Sequence, residues 1–102
     1  MEAAVHSNVA LMHATMAIFD AWCDRAPVMV FGATGSVDAA LRRRWIDWMH
    51  TPRDQGALVR DYVKWDDQPG SPEAAIGMVL RANRIMRRNP YSPVYIIFDV
   101  AM

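Results

Sequence analysis

Three histidines, one cysteine and a run of three arginines are the side chains of this sequence best equipped for chemistry. His6 stands in Val5-His6-Ser7, where a short apolar start passes into a long helical pattern. Histidine titrates near neutrality, so at a strand-to-helix junction it is an acid–base candidate. A histidine that only caps or packs locally would leave the same trace. His50 follows Trp45, Trp48 and Met49 and precedes Thr51. An aromatic segment with one imidazole suits the wall of a pocket for an apolar substrate; it suits an ordinary packed loop equally well. His13 falls inside the helical run and reads as a core or interface residue. The three histidines share no metal-ligand spacing and Cys23 has no second cysteine, which argues against a zinc site. No carboxylate pair, nucleophile elbow or phosphate-binding P-loop is present, and Gly32 and Gly35 alone do not make a phosphate cradle. Arg42, Arg43 and Arg44 carry the charge to hold an anion, or form a solvated charge run.

The elements that must position these residues follow from periodicity and punctuation. Residues 9–24 are apolar nearly all round (Val9, Leu11, Met12, Met16, Ile18, Phe19, Trp22), which predicts a helix buried on more than one side, with Asn8 as N-cap and Pro27 closing the pattern. Val28-Met29-Val30-Phe31, ended by Gly32, has the continuous apolar character of a strand buried on both faces. Residues 45–50 can hold a short helix before Thr51-Pro52 breaks it, and 54–61 another helical turn or two. Tyr62 to Trp65 alternates like a strand. Ser71-Pro72-Glu73 marks a helix start, with a capping serine, proline at the first helical position and an acid in the first turn. Ala75, Ile76, Val79, Ala82 and Met86 then recur at helical spacing, with Arg84, Arg87 and Arg88 placed to suit the helix dipole. Val94 to Phe98 is the strongest strand.

Strands alternating with helices predict an α/β fold: a partial parallel sheet flanked by helices, with ligands at the carboxyl ends of its strands. Those ends fall near His6, near Gly32 to Ser36, near Asp66 and near Asp99. Only three strands stand out behind a very apolar first helix, so the domain is expected to extend N-terminally and that helix to expose an apolar face.

Composition sets the outer bounds. The 102 residues allow one domain at most. With 53% hydrophobic and 22% charged residues the chain is not disorder-prone. Eleven basic residues against eleven acidic ones give no basic excess for nucleic acid and no electrostatic reason for a membrane surface. No run is long enough for a membrane span, and the N-terminus lacks a signal-peptide pattern, so the cytoplasm is the expected location. Eight methionines and four tryptophans suit either an irregular core or a docking surface.

Several segments carry a resemblance. His6-Ser7 precedes an Ala- and Met-rich helix that ends in Ala21-Trp22-Cys23-Asp24 and leads through Pro27-Val28 into an apolar strand. Asp54 lies ten residues before Lys64 with Arg60 between them, and Pro93-Val94-Tyr95-Ile96 begins the last strand. Taken together, in this order and across nearly the whole chain, these segments resemble the second half of the N-terminal, pyrimidine-binding domain of thiamine-diphosphate enzymes of the acetolactate synthase and benzoylformate decarboxylase kind. Departures occur at Asp61, where the family pattern has proline, at Ser92, where glycine is common, at Asn8-Val9-Ala10 in place of Gly-Pro-Gly, and at His50-Thr51-Pro52 in place of Phe-Gln-Glu.

The resemblance implies that residues 1–102 are the C-terminal part of an incomplete pyrimidine-binding domain. It implies thiamine diphosphate as cofactor, with Mg2+ held by a separate Gly-Asp-Gly…Asn domain absent from this sequence. It makes His6 the active-site histidine and puts His50 and Thr51 in the substrate pocket, with Gln55, beside Asp54, as a further candidate. The glutamate that activates the aminopyrimidine ring would lie upstream; neither Glu2 nor Glu73 can replace it. The implied activity is that of a 2-oxo-acid decarboxylase or carboligase, inactive in this chain alone. Its partners would be the remaining domains or subunits of a homo-oligomeric parent enzyme. The alternative is a non-catalytic truncated protein acting only through subunit association, using its apolar helix.

Overall fold

The computed structural model describes residues 1–101. Four strands, β1 (Glu2–Val5), β2 (Met29–Thr34), β3 (Trp65–Asp67) and β4 (Val94–Asp99), form one parallel sheet in the order β1-β2-β4-β3. The helices are α1 (Ser7–Cys23), the single turn α2 (Asp47–His50) and α3 (Pro72–Met86), with 3-10 turns at Ala39–Leu41, Gln55–Leu58 and Arg60–Tyr62. The crossovers through α1 and α3 run inward from opposite edges of the sheet. Right-handed connections then put the two helices on opposite faces.

Side-chain alternation shows those two faces. Val30, Tyr95 and Ile97 pack with Leu11 and Ile18 of α1 and with Val59 and Val63. Met29, Val94 and Ile96 pack with Ala82 and Met86 of α3. Leu11 and Ala82, each with no exposed surface, anchor one helix to each face. The start of α3 is as its sequence dictates: the Ser71 hydroxyl accepts from the Ala74 N–H at 3.1 Å and Pro72 opens the helix.

Four expectations are corrected. The N-cap of α1 is His6 and not Asn8: Ser7 takes a left-handed φ of 56° and the chain enters the helix two residues earlier. Helix α1 is not buried on more than one side within this chain. Its buried residues are Ser7, Leu11 and Ile18, while Met12 and Met16 are 53% and 66% exposed and Val9, Phe19 and Trp22 also reach the surface. The apolar face is therefore open. The second strand runs through Gly32 to Thr34, since Gly32 gives room to the Tyr95 hydroxyl and does not turn the chain. Tyr62 and Val63 pack into the α1-side core, so the strand expected over 62–65 forms only from Trp65 onward. The fourth strand, β1, is too short and too alanine-rich to declare itself by pattern.

Candidate functional site

The carboxyl ends of β1 and β2 face a small cavity of about 60 Å3, lined by His6, Ser7, Gly35, Arg43, Asp47 and His50 among others. His6 is delivered by the tight passage from β1 into α1. Its backbone is extended, Ser7 takes the left-handed conformation, and the His6 carbonyl accepts the first helical bond from Ala10 N at 3.2 Å. A serine in that conformation costs about 1–2 kcal/mol, a strain that recurs at binding and catalytic positions.

His50 arrives from the other side on α2. Its carbonyl accepts from the Gly35 N–H at 3.0 Å and from the Thr34 hydroxyl at 3.4 Å, which ties the end of α2 to the end of β2. A Cβ on Gly35 would overlap the Thr51 hydroxyl, so a larger residue there would displace the Thr51 side chain. At the start of α2, Asp47 is 2% exposed and accepts from the Arg43 N–H at 2.7 Å and from Arg43 Nη2 at 3.1 Å. The Arg43 backbone N–H, and then its guanidinium, hold the Asp47 carboxyl below the usual carboxylate range. Pinned at both ends, α2 sets the His50 ring edge to face with that of His6, the centroids 6.2 Å apart and the planes at 69°.

Several polar atoms here have no partner: Ser7 Oγ, Asn8 Oδ1, His50 Nδ1 and Thr51 Oγ1 are all buried and unbonded. Unmet buried groups of this kind are usually answered by water or a ligand.

The proposed site residues divide into two groups. His6 and His50 meet. Thr51 lies next to them against Gly35 without lining the cavity. Gln55 belongs to another cluster: it is buried, and its Nε2 donates to the Ala33 carbonyl at 3.2 Å and to the Tyr95 hydroxyl at 2.8 Å, leaving Oε1 without a partner. Burial pushes the Tyr95 hydroxyl up from its ordinary value. A Cβ on Gly32 would overlap that hydroxyl. His13 is exposed rather than part of the core.

Asp47 carries no motif that singles it out in the sequence, and Arg43 reads there as one of three arginines that hold an anion or form a solvated run. The available signal was their i, i+4 spacing, which fits an ion pair on one helical turn. A further ion cluster closes the carboxyl end of β3. Arg60 grips Asp54 with two bonds of 3.0 Å and Asp66 with two of 3.0 and 2.8 Å. The Arg60 hydrogen bonds hold Asp54 below the ordinary carboxylate range, and the two carboxylates raise Arg60.

This donor set can exchange hydrogen bonds and protons with a small group of atoms. Pockets for whole ligands run to roughly 300–1,000 Å3, and the cavity at His6 takes only a few atoms. No cluster of three metal-ligating side chains occurs among the described residues. Glu2 lies exposed at the start of β1, and Glu73 in α3. The residues present therefore do not fit the diphosphate, its metal or the activated ring.

No family model and no curated protein matches the sequence. Solved structures do match. An enzyme of Mycobacterium smegmatis assigned as thiamin diphosphate-dependent superposes with a TM-score of 0.85 over 98% of this chain at 15% identity. Benzoylformate decarboxylase from Polynucleobacter necessarius gives the same TM-score and coverage at 19% identity. The thiamine diphosphate-dependent 4-hydroxybenzoylformate decarboxylase of Rhodococcus jostii gives 0.82 over 96% at 18%. In each case the match spans 18% of the other chain. This chain thus has the fold of one segment of thiamin diphosphate-dependent enzymes, a four-stranded parallel sheet between helices, and covers less than a fifth of their length.

Proposed function

We propose that the chain is the C-terminal part of a pyrimidine-binding domain and supplies one wall of a thiamine-diphosphate site for a 2-oxo-acid decarboxylase or carboligase. The observation that carries this reading is the convergence of His6 and His50 at the carboxyl ends of β1 and β2, the end of a parallel sheet where ligands bind. The decarboxylases among the structural neighbours support it. When bound, thiamine diphosphate supplies the electron sink for carbanion chemistry. The chain's own residues bind and move protons. His6, exposed at the N-cap of α1, takes up and returns a proton at the reacting end of the substrate. His50 and Thr51 shape the opposite side, held in place by the Gly35 and Asp47 contacts. Gln55 acts indirectly, its amide donating to the Tyr95 hydroxyl and fixing that ring against Gly32.

Other domains or subunits of a homo-oligomeric enzyme complete the site and hold Mg2+. CO2 release from pyruvate and benzoylformate, with thiamine diphosphate and Mg2+ present, tests the reading. The chain alone is inert, and in its complete assembly His6→Ala lowers turnover by about 10²–10⁴-fold. Turnover by the isolated chain, or full activity of the variant, overturns it. The second reading, association without catalysis, is favoured by one observation: the open apolar face of α1 at Met12, Met16 and Phe19.

A further inference from the structure

The opposite end of the sheet carries a second group of chemistry-bearing side chains. A cavity of about 360 Å3 lies at the amino ends of β3 and β4, walled by Trp22, Cys23, Arg25, Lys64, Tyr91 and Ser92 together with Pro90. Its position follows from the helix ends. Helix α1 stops at Cys23, and Arg25 N donates back to the Trp22 carbonyl at 3.2 Å while Arg25 itself takes a left-handed φ of 54°. Glycine is the usual occupant of that position, because it alone adopts the conformation without steric cost. Here the position holds an exposed arginine that borders the cavity.

Lys64 reaches in from just before β3. Its ammonium donates to the carbonyls of Arg88 at 2.8 Å and Pro90 at 3.1 Å, answering the negative end of α3. Among the described residues neither Arg25 nor Lys64 has a carboxylate at ion-pair distance. The guanidinium of Arg25 makes no side-chain hydrogen bond to another described residue, whereas Lys64 is partly committed. Ser92 is 5% exposed and its hydroxyl has no partner. Trp22 and Tyr91, 39% and 43% exposed, add two aromatic walls.

We propose that this cavity is a binding site for a small aromatic carboxylate, distinct from the His6 cavity and independent of the function proposed above. The free guanidinium offers the planar fork that grips a carboxylate with two bonds. Lys64 adds positive potential beside it. The rings of Trp22 and Tyr91 take the flat apolar body, which a bare phosphate does not have.

The test is a titration of the full chain with benzoate, read at the Trp22 indole N–H by heteronuclear NMR, with benzamide (ring without charge) and inorganic phosphate (charge without ring) as parallel probes. Benzoate is expected to shift Trp22 saturably, and the two controls much less. Arg25→Gly is expected to weaken benzoate binding at least about tenfold while raising the melting temperature, since it removes the left-handed arginine. A purely structural Arg25 would not separate binding from stability in that way. Arg43→Gln, in the His6 cavity, leaves the Trp22 response unchanged. Absence of a saturable Trp22 shift overturns the proposal, as does equal binding of phosphate or benzamide, or undiminished binding by the Arg25→Gly chain.

Discussion

The rings of His6 and His50 meet edge to face, 6.2 Å between centroids, across the carboxyl ends of two neighbouring strands. Neither residue is placed by its own sequence neighbours alone. His6 depends on the strained turn at Ser7, and His50 on an α2 turn fastened to β2 at Gly35 and Thr34 and to Arg43 through Asp47. The pair is a product of tertiary packing.

Asp47→Ala removes the acceptor for the Arg43 N–H and guanidinium. The start of α2 then loses its anchor, and the expected outcome is loss of the His6–His50 contact with the rest of the sheet intact. Cross-relaxation between the two imidazoles in NMR spectra checks this. An unchanged ring-to-ring signal in the variant would show that Asp47 does not position His50.

Gly32→Ala places a methyl group where the Tyr95 ring and hydroxyl lie. Overpacking of this kind costs about 1–3 kcal/mol. Tyr95→Phe also destabilises, by roughly 1–3 kcal/mol, because the buried Gln55 amide loses an acceptor. In the double variant the two losses should sum to more than the measured cost, since the phenylalanine relieves part of the clash. Denaturant unfolding of the four chains gives the coupling; strict additivity would mean that Gly32 and Tyr95 do not constrain each other.

The acid limit of stability follows from Asp47 and Asp54. Both carboxyls lie below their ordinary value of 3.8 in the folded chain, through hydrogen bonds from Arg43 and Arg60 respectively. A depressed folded-state value means that their contribution is fully present above the ordinary value. It is lost as pH falls from there through the folded-state values. The unfolding midpoint should therefore hold level on this account down to about pH 4 and then decline. Arg60→Gln lowers the plateau and flattens the decline; a variant with the wild-type acid profile would remove Arg60 from the explanation.

How much of this was legible beforehand varies from element to element. Helix α3 declared itself because Ser71, Pro72 and Glu73 supply local helix-start chemistry, and β4 because Val94 to Phe98 is rich in β-branched and aromatic residues. Strand β1 hid because Glu2-Ala3-Ala4-Val5 has neither β-branching nor alternation until its last residue, and only pairing with β2 makes it a strand. Gly32 looked like a terminator because a glycine after an apolar run usually ends it, whereas its role is a close approach by a side chain more than sixty positions away. His6 was legible as a candidate from its junction. The family resemblance put His50 in the same pocket, but the edge-to-face contact, the Asp47 anchor and the placement of Gln55 under Tyr95 were not legible, since each depends on contacts between distant segments.

The open face of α1 predicts concentration-dependent self-association of the isolated chain, because Met12, Met16 and Phe19 present adjoining apolar surface to water. Met16→Glu should reduce the association seen by sedimentation velocity without lowering the unfolding free energy of the monomer by more than about 0.5 kcal/mol. Monomeric wild-type chain at high concentration would show that this face alone does not drive assembly.

The most direct measurement is an NMR titration of the complete assembly, with the histidines of this chain isotopically labelled, against benzoylformate and against pyruvate, following the ring protons of His6 and His50. If the two histidines form one substrate-facing wall, both move together and saturably, and His6→Ala abolishes the response of His50. Independent movement of the two rings, or no movement of either at saturating 2-oxo acid, would contradict it.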